Sequence, residues 1–167
     1  VDESRNDDES VEEMVVRLAC EKATAGHSPD NAHLPVLAAD TVVVLGDRVF
    51  GKPSGEQDAL DMLAALSGCR HRVLTAVALR QCARIEVSLS DTAVRFRGIS
   101  PDEARHYWHS GEPADKAGSY AIQGLGGTFV ASISGSYSGV VGLPVFETVQ
   151  LLDNVGIKVL ATVEHND

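Results

Sequence analysis

Cysteine is scarce: the three present, Cys20, Cys69 and Cys82, are odd in number and widely spaced. That pattern matches neither a disulfide framework nor the paired spacing of a zinc site, and reduced thiols in a cytoplasmic protein are the expectation. No apolar run reaches the roughly 18 residues needed to cross a bilayer as a helix, so no transmembrane helix is expected. No basic-then-apolar leader opens the sequence, and no secretory signal is expected either. Positive charge is in deficit, with 14 Lys and Arg against 24 Asp and Glu, a net charge of −10. A general nucleic-acid binder needs a basic face to neutralise phosphates, so neither nucleic acid nor a membrane is an expected partner. The deficit leaves room for a small phosphorylated ligand, provided that a few lysines and a divalent cation converge locally. Internal repeats, low-complexity tracts and linkers are also missing. The chain of 167 residues, 44% apolar, has the size of one domain with a full core.

What is present centres on Leu34–Pro53, LPVLAADTVVVLGDRVFGKP. The run from Val36 to Val44 is apolar and β-branched, as in a buried strand, yet carries Asp40 in its middle. Burying an ionised carboxylate without partners is costly, so such an Asp calls for a metal, a cation or a raised pKa. Gly46-Asp47 fits a two-residue hairpin turn, pairing Leu45 with Arg48, Val43 with Phe50 and Thr41 with Lys52. The hairpin then brings Lys52 close to Asp40 and Thr41, a grouping suited to a metal-bound phosphate. A solvated edge-strand Asp beside a turn Lys satisfies the same periodicity, and at this level both readings stand.

Around this hairpin the pattern alternates helices and strands. Ser10 and Glu13 form a capping box for a helix over Val11–Thr24, ended by Gly26, with Val11, Met14, Val15, Leu18 and Ala19 as its apolar stripe. Lys22 continues that stripe, and either snorkels to solvent or points into a site between helix and sheet. Ser54 and Gln57 mark a second helix with Ala59, Leu60, Leu63, Ala64 and Leu66 buried. A strand over His71–Arg80 and an alternating strand over Arg84–Arg97 follow. Ser100-Pro101-Asp102-Glu103 starts a helix carrying His106 and His109, which without a third ligand nearby are not read as a metal site. Asp115–Thr148 is rich in glycine, letting backbone approach a ligand closely. In it Lys116 and Gln123 flank the Gly124–Gly127 loop, and the Gln123 amide can either bond a base edge or bond local backbone. A last helix over Pro144–Asn154, with Val145, Thr148, Val149 and Leu152 inward, and a short strand over Ile157–Val163 complete the chain. Together these indicate an α/β domain with a mixed, twisted sheet flanked by helices.

Several stretches resemble the Maf family of nucleoside-triphosphate pyrophosphatases nearly end to end. They are Asp2-Glu3, VVRLACEKA, AADTVVVLGDRVFGKP, MLAALSGCRHRVLTAVAL and DKAGSYAIQGLGGTFVASISGSYSGVVGLPVFET. The resemblance implies a single domain with its substrate cleft between two lobes, and hydrolysis between the α and β phosphates with Mg²⁺ or Mn²⁺. The DKAG, IQGLGG and GSYSGVVGLP segments are similar to the branch acting on dTTP and UTP rather than on methylated GTP. By the same resemblance Asp40 is the catalytic aspartate and Glu3 helps to hold the metal. Lys22, Lys52 and Lys116 surround the phosphates, while Thr41 and Gln123 bear on base choice. A homodimer is also implied. Family members open with a strand and an S-x-S-P-R-R loop leading into a helix. This sequence starts at a point following that unit, so a domain over residues 1–167 without its first strand and helix is expected. Two other functions stay open: a purine-preferring house-cleaning pyrophosphatase, and a nucleotide-binding regulator of cell division without turnover.

Overall fold

The computed structural model describes residues 1, 3–31 and 33–160. Five strands form one sheet: β1 (Val36–Leu45), β2 (Arg48–Phe50), β3 (Arg70–Gln81), β4 (Arg84–Phe96) and β5 (Val130–Ser134), in the order β2-β1-β3-β4-β5. Helices flank the sheet, as expected for an α/β domain. All four neighbouring pairs are antiparallel, whereas the continuous apolar runs point to a mixed sheet. Those runs have another cause here, because the central strands are covered on both faces. β3 is buried without interruption from Val73 to Leu79, the pattern that two-sided burial imposes whatever the strand direction.

One face is covered by α1 (Val11–Ala25). Its capping box forms, with Glu13 N–H donating to Ser10 Oγ at 3.2 Å and Ser10 N–H to the Glu13 carboxylate at 2.8 Å. Val15, Ala19 and Ala23 pack on Val42, Val44, Leu74 and Ala76. The small residues at positions 19 and 23 let the helix lie close to the sheet. On the other face, α2 (Glu56–Leu66) and α3 (Pro101–His109) bury Met62, Leu63, Leu66 and Tyr107 with Phe50, Phe96 and Phe129. His71 is enclosed there, its ring 4.7 Å from Phe96 and 5.6 Å from Tyr120 in edge-on geometry. Farther along the same face lie α4 (Tyr137–Val141) and α5 (Val145–Asn154), with Leu151 packed against Val77 and Leu79.

Four expected details differ. α2 starts at Glu56 with Gly55 as its N-cap and no side-chain cap. Ser54 instead donates from N and Oγ to Asp58, at 2.9 and 3.0 Å, because a charged carboxylate outcompetes the Gln57 amide as acceptor. Met62 takes the buried place expected of Ala64, which is exposed. In α5 the inward face is Thr148 and Leu151, while Val145 is exposed, so the stripe is rotated from the expected one. Residues 157–160 are coil and turn rather than strand, and residues 161–163 of that expected strand lie outside the described residues. Among the described residues no helix is long and apolar enough to cross a membrane.

Candidate active site

The site is built on the pleat of β1. Successive side chains of a strand point to opposite faces, so Asp40 projects toward α1 and Thr41 toward α4. The hairpin forms as expected: Leu45 pairs with Arg48 and Val43 with Phe50, and Gly46 takes φ +60°. The ladder stops there. The expected Thr41–Lys52 pairing does not form, because β2 ends at Phe50 and Gly51 O instead accepts from Gly118 N at 3.0 Å. That bond requires a glycine at position 118: φ is +68°, and a Cβ would come within 2.9 Å of Val43 Cγ2. It also ties the Lys52 segment to the Lys116 segment. The edge of β1 before Val43 is left without a partner strand among the described residues.

A cavity of about 280 Å³ lies along this edge, bordered by Glu3, Lys22, Asp40, Thr41, Lys52, Lys116 and Gln123. The structure therefore gathers every site residue named from the sequence. Because the cavity wraps around a strand edge, a ligand in it can meet the Asp40 face and the Thr41 face of the sheet together.

Asp40 is 7% exposed. Lys22, on the last turn of α1, donates to Asp40 Oδ1 at 2.5 Å and lies 2.9 Å from Glu3 Oε1. Of the two readings of Lys22, the inward one holds. Burial raises the Asp40 pKa, partly offset by the hydrogen bond and charge of Lys22. Burial also works against the charge on Lys22, but its bonds to Asp40 and Glu3 win and raise its pKa. Glu3 is held below the usual carboxylate range chiefly by the Lys22 hydrogen bond. The result is a carboxylate poised closer to neutrality than an ordinary Asp, beside an ammonium that stays charged. Lys116 closes the far side, 2.5 Å from Asp115 Oδ1. Three lysines thus converge on a molecule with a net charge of −10.

Gln123 is exposed, and its backbone is set by a clamp that sequence reasoning missed. The Glu112 carboxylate accepts from Tyr107 Oη at 2.6 Å, from Leu125 N at 2.9 Å and from Gly126 N at 3.0 Å. Tyr107 Oη in turn accepts from Ala121 N at 3.0 Å. These bonds fix the chain on both sides of Gln123. Nothing in the periodicity marks Glu112, since its partners are backbone amides of a loop. The available signal was a carboxylate preceding a glycine-rich run, whose free N–H groups need an acceptor.

With this geometry in view, comparison with known proteins is decisive. The family model described as Maf-like protein matches residues 1–155. The chain belongs to the Maf family. Among its relatives in that family, the dTTP/UTP pyrophosphatase of Alkalilimnicola ehrlichii is 51% identical over 165 residues, covering 94% of this chain and 80% of the relative. The dTTP/UTP pyrophosphatase of Shigella dysenteriae is 51% identical over 154 residues, covering 92% and 78%. That of Hahella chejuensis is 50% identical over 161 residues, covering 95% and 80%.

Glu3 and Asp40 are the side chains of this Maf domain that could offer oxygen donors to a divalent cation of the hard kind. Glu3 and Asp40 converge on one point, where Lys22 Nζ sits within 2.9 Å of both. Among the described residues no three His, Cys, Asp or Glu side chains form a self-sufficient metal cage. Two carboxylates match Mg²⁺ or Mn²⁺, which commonly take one or two from the protein and the rest from substrate phosphates and water.

Proposed function

We infer that the protein is a nucleoside-triphosphate pyrophosphatase acting on dTTP and UTP, releasing the nucleoside monophosphate and pyrophosphate. The observation that carries this reading is the meeting of a buried carboxylate with three lysines at one strand edge. The printed names of relatives about half identical to this chain support the substrate class.

The chemistry follows from the residues. Lys52 and Lys116 hold the triphosphate and offset the charge that builds on the leaving pyrophosphate as the bond between the α-phosphorus and its bridging oxygen breaks. Asp40, its pKa raised by burial, accepts the proton of the attacking water, and a base closer to neutrality is better matched to that task than an ordinary aspartate. Lys22 orients Asp40 and, on substrate binding, can share its donors with a phosphate oxygen. Glu3 and Asp40 would hold the divalent cation, which when bound supplies charge neutralisation at the phosphates. Thr41 and Gln123 face the base. A homodimer belongs to the same proposal, and light scattering of the purified protein tests it.

The deciding assay is turnover of a panel of dTTP, UTP, CTP, GTP and ITP with Mg²⁺ or Mn²⁺, following pyrophosphate and monophosphate. dTTP and UTP should lead, and Asp40→Asn should lower turnover by about 10²-fold or more while the protein stays folded. A clear preference for GTP or ITP would refute the pyrimidine reading. Nucleotide binding without turnover by the wild type would indicate a regulator.

A further inference from the structure

Thr75 is fully buried on β3 and lies directly across from Thr41 in the ladder. Its Oγ1 is 2.7 Å from the carbonyl oxygen of Gly139 in α4 and 2.9 Å from Thr41 Oγ1. A hydroxyl carries one hydrogen, and a carbonyl oxygen can only accept. The Thr75 hydrogen is therefore committed to Gly139, and in the bond between the two threonines Thr41 must be the donor. The Thr41 hydrogen thus points away from the cavity, and the half-buried hydroxyl offers a ligand lone pairs alone. α4 comes close enough for this because position 139 has no side chain: a Cβ there would lie 2.8 Å from Ser90 Oγ.

Resting on the pyrophosphatase reading above, we propose that Thr75 is a positioning residue that makes Thr41 an obligate acceptor and so selects nucleobases whose ring nitrogen carries a hydrogen. On the Thr41 side the cavity is walled by Val140 and Val141, apolar neighbours suited to a flat ring, while Lys22 and Asp40 lie across the strand on the other face. Uracil and thymine present an N–H that donates to Thr41, as does the lactam of guanine or hypoxanthine. Cytosine and adenine present a lone pair, so two acceptors would face each other and both go unpaired. A site that leaves buried polar groups unpaired rejects the wrong ligand, here by about 10- to 100-fold for CTP against UTP. The relay does not separate uracil from guanine, which is a matter of size.

The test is the ratio of kcat/KM for UTP over CTP in the wild type, Thr75→Val and Thr75→Ser. Valine removes the relay and frees the Thr41 hydroxyl to rotate and donate, so the ratio should fall about tenfold. Serine keeps the relay and should keep the ratio within about threefold of the wild type. Should the valine variant fail to fold, Thr41→Val with Thr75 intact gives the second readout, and the ratio should again fall as the acceptor is lost. Equal losses for UTP and CTP in the valine variants, leaving the ratio unchanged, would overturn the inference and make Thr75 a packing residue. A wild type that turns over neither substrate would overturn the functional reading and this inference with it, whereas an active wild type with an insensitive ratio overturns the inference alone.

Discussion

Removing the Lys22 ammonium while keeping most of its stem, as in Lys22→Met, strips Asp40 of a hydrogen-bonded cation at 2.5 Å. The carboxylate, 7% exposed, is then buried without that partner. Breaking a buried pair from one side costs about 3–5 kcal/mol. Here the Lys22 side chain is 31% exposed, so water can partly replace it. A loss of about 2–3 kcal/mol at neutral pH is expected, a drop in Tm of about 5–10 °C for a domain of this size. Asp40→Asn removes the charge that burial penalises and should cost less than about 1 kcal/mol. The double variant should be more stable than the sum of the single losses by more than about 1 kcal/mol. The pH dependence carries its own sign. With Lys22 gone, nothing at that position opposes burial, so the folded-state pKa of Asp40 rises further above its unfolded value. Its neutral form is the one the fold prefers, so the deficit of Lys22→Met is present at neutral pH and shrinks as pH falls and the carboxylate takes up its proton. Urea unfolding of all four proteins at pH 7 and pH 5 measures this. Additive losses in the cycle, or a Lys22→Met deficit that grows on acidification, would refute the coupling.

Other consequences can be checked one at a time. Lys52→Ala and Lys116→Ala remove charge from side chains on the cavity wall, so turnover should fall by about 10-fold or more with Tm nearly unchanged, as steady-state kinetics and thermal melts would show. Glu112→Ala breaks two hydrogen bonds to the Gln123 loop and a third to Tyr107, and should raise KM for dTTP more than it lowers kcat. Burial works against the Glu112 charge, but bonds from Tyr107, Gly126 and Leu125 win and depress its pKa. The wild-type clamp should therefore weaken as pH falls below the usual carboxylate range, read as faster amide exchange at residues 121–126. His71 is 2% exposed and burial lowers its pKa to about 4. The unfolded chain binds this proton first as pH falls from 6.5 toward 4, so stability drops over that window by about 3 kcal/mol, and His71→Phe should flatten the slope of urea midpoint against pH there.

The elements whose local chemistry and burial agree were legible from residues alone. Ser10 and Ser100 begin their helices as the capping boxes require, and Gly46-Asp47 closes its hairpin in the expected register. Asp40 stood out because a carboxylate interrupts an apolar strand, and Lys22 because a cation interrupts an apolar stripe. Each anomaly answers the other across the helix–sheet interface. What stayed hidden depends on partners distant in sequence. Lys52 reaches the cavity through the Gly51–Gly118 bond between loops, which no hairpin register contains. Glu112 acts on backbone amides, and Thr75 reads as one more residue of a buried strand until the Gly139 carbonyl is placed against it. The continuous apolar pattern of β3 reported burial on two faces, and burial does not specify strand direction.

The central claim is that Asp40 activates water for attack on the α-phosphorus of a pyrimidine nucleoside triphosphate. Turnover of dTTP in water carrying a heavy oxygen isotope, with mass analysis of both products, tests it most directly. The account predicts label in the monophosphate, unlabelled pyrophosphate as its partner, and turnover in Asp40→Asn lowered by about 10²-fold or more. Label in inorganic phosphate alongside the nucleoside diphosphate, or wild-type turnover in Asp40→Asn, would contradict it.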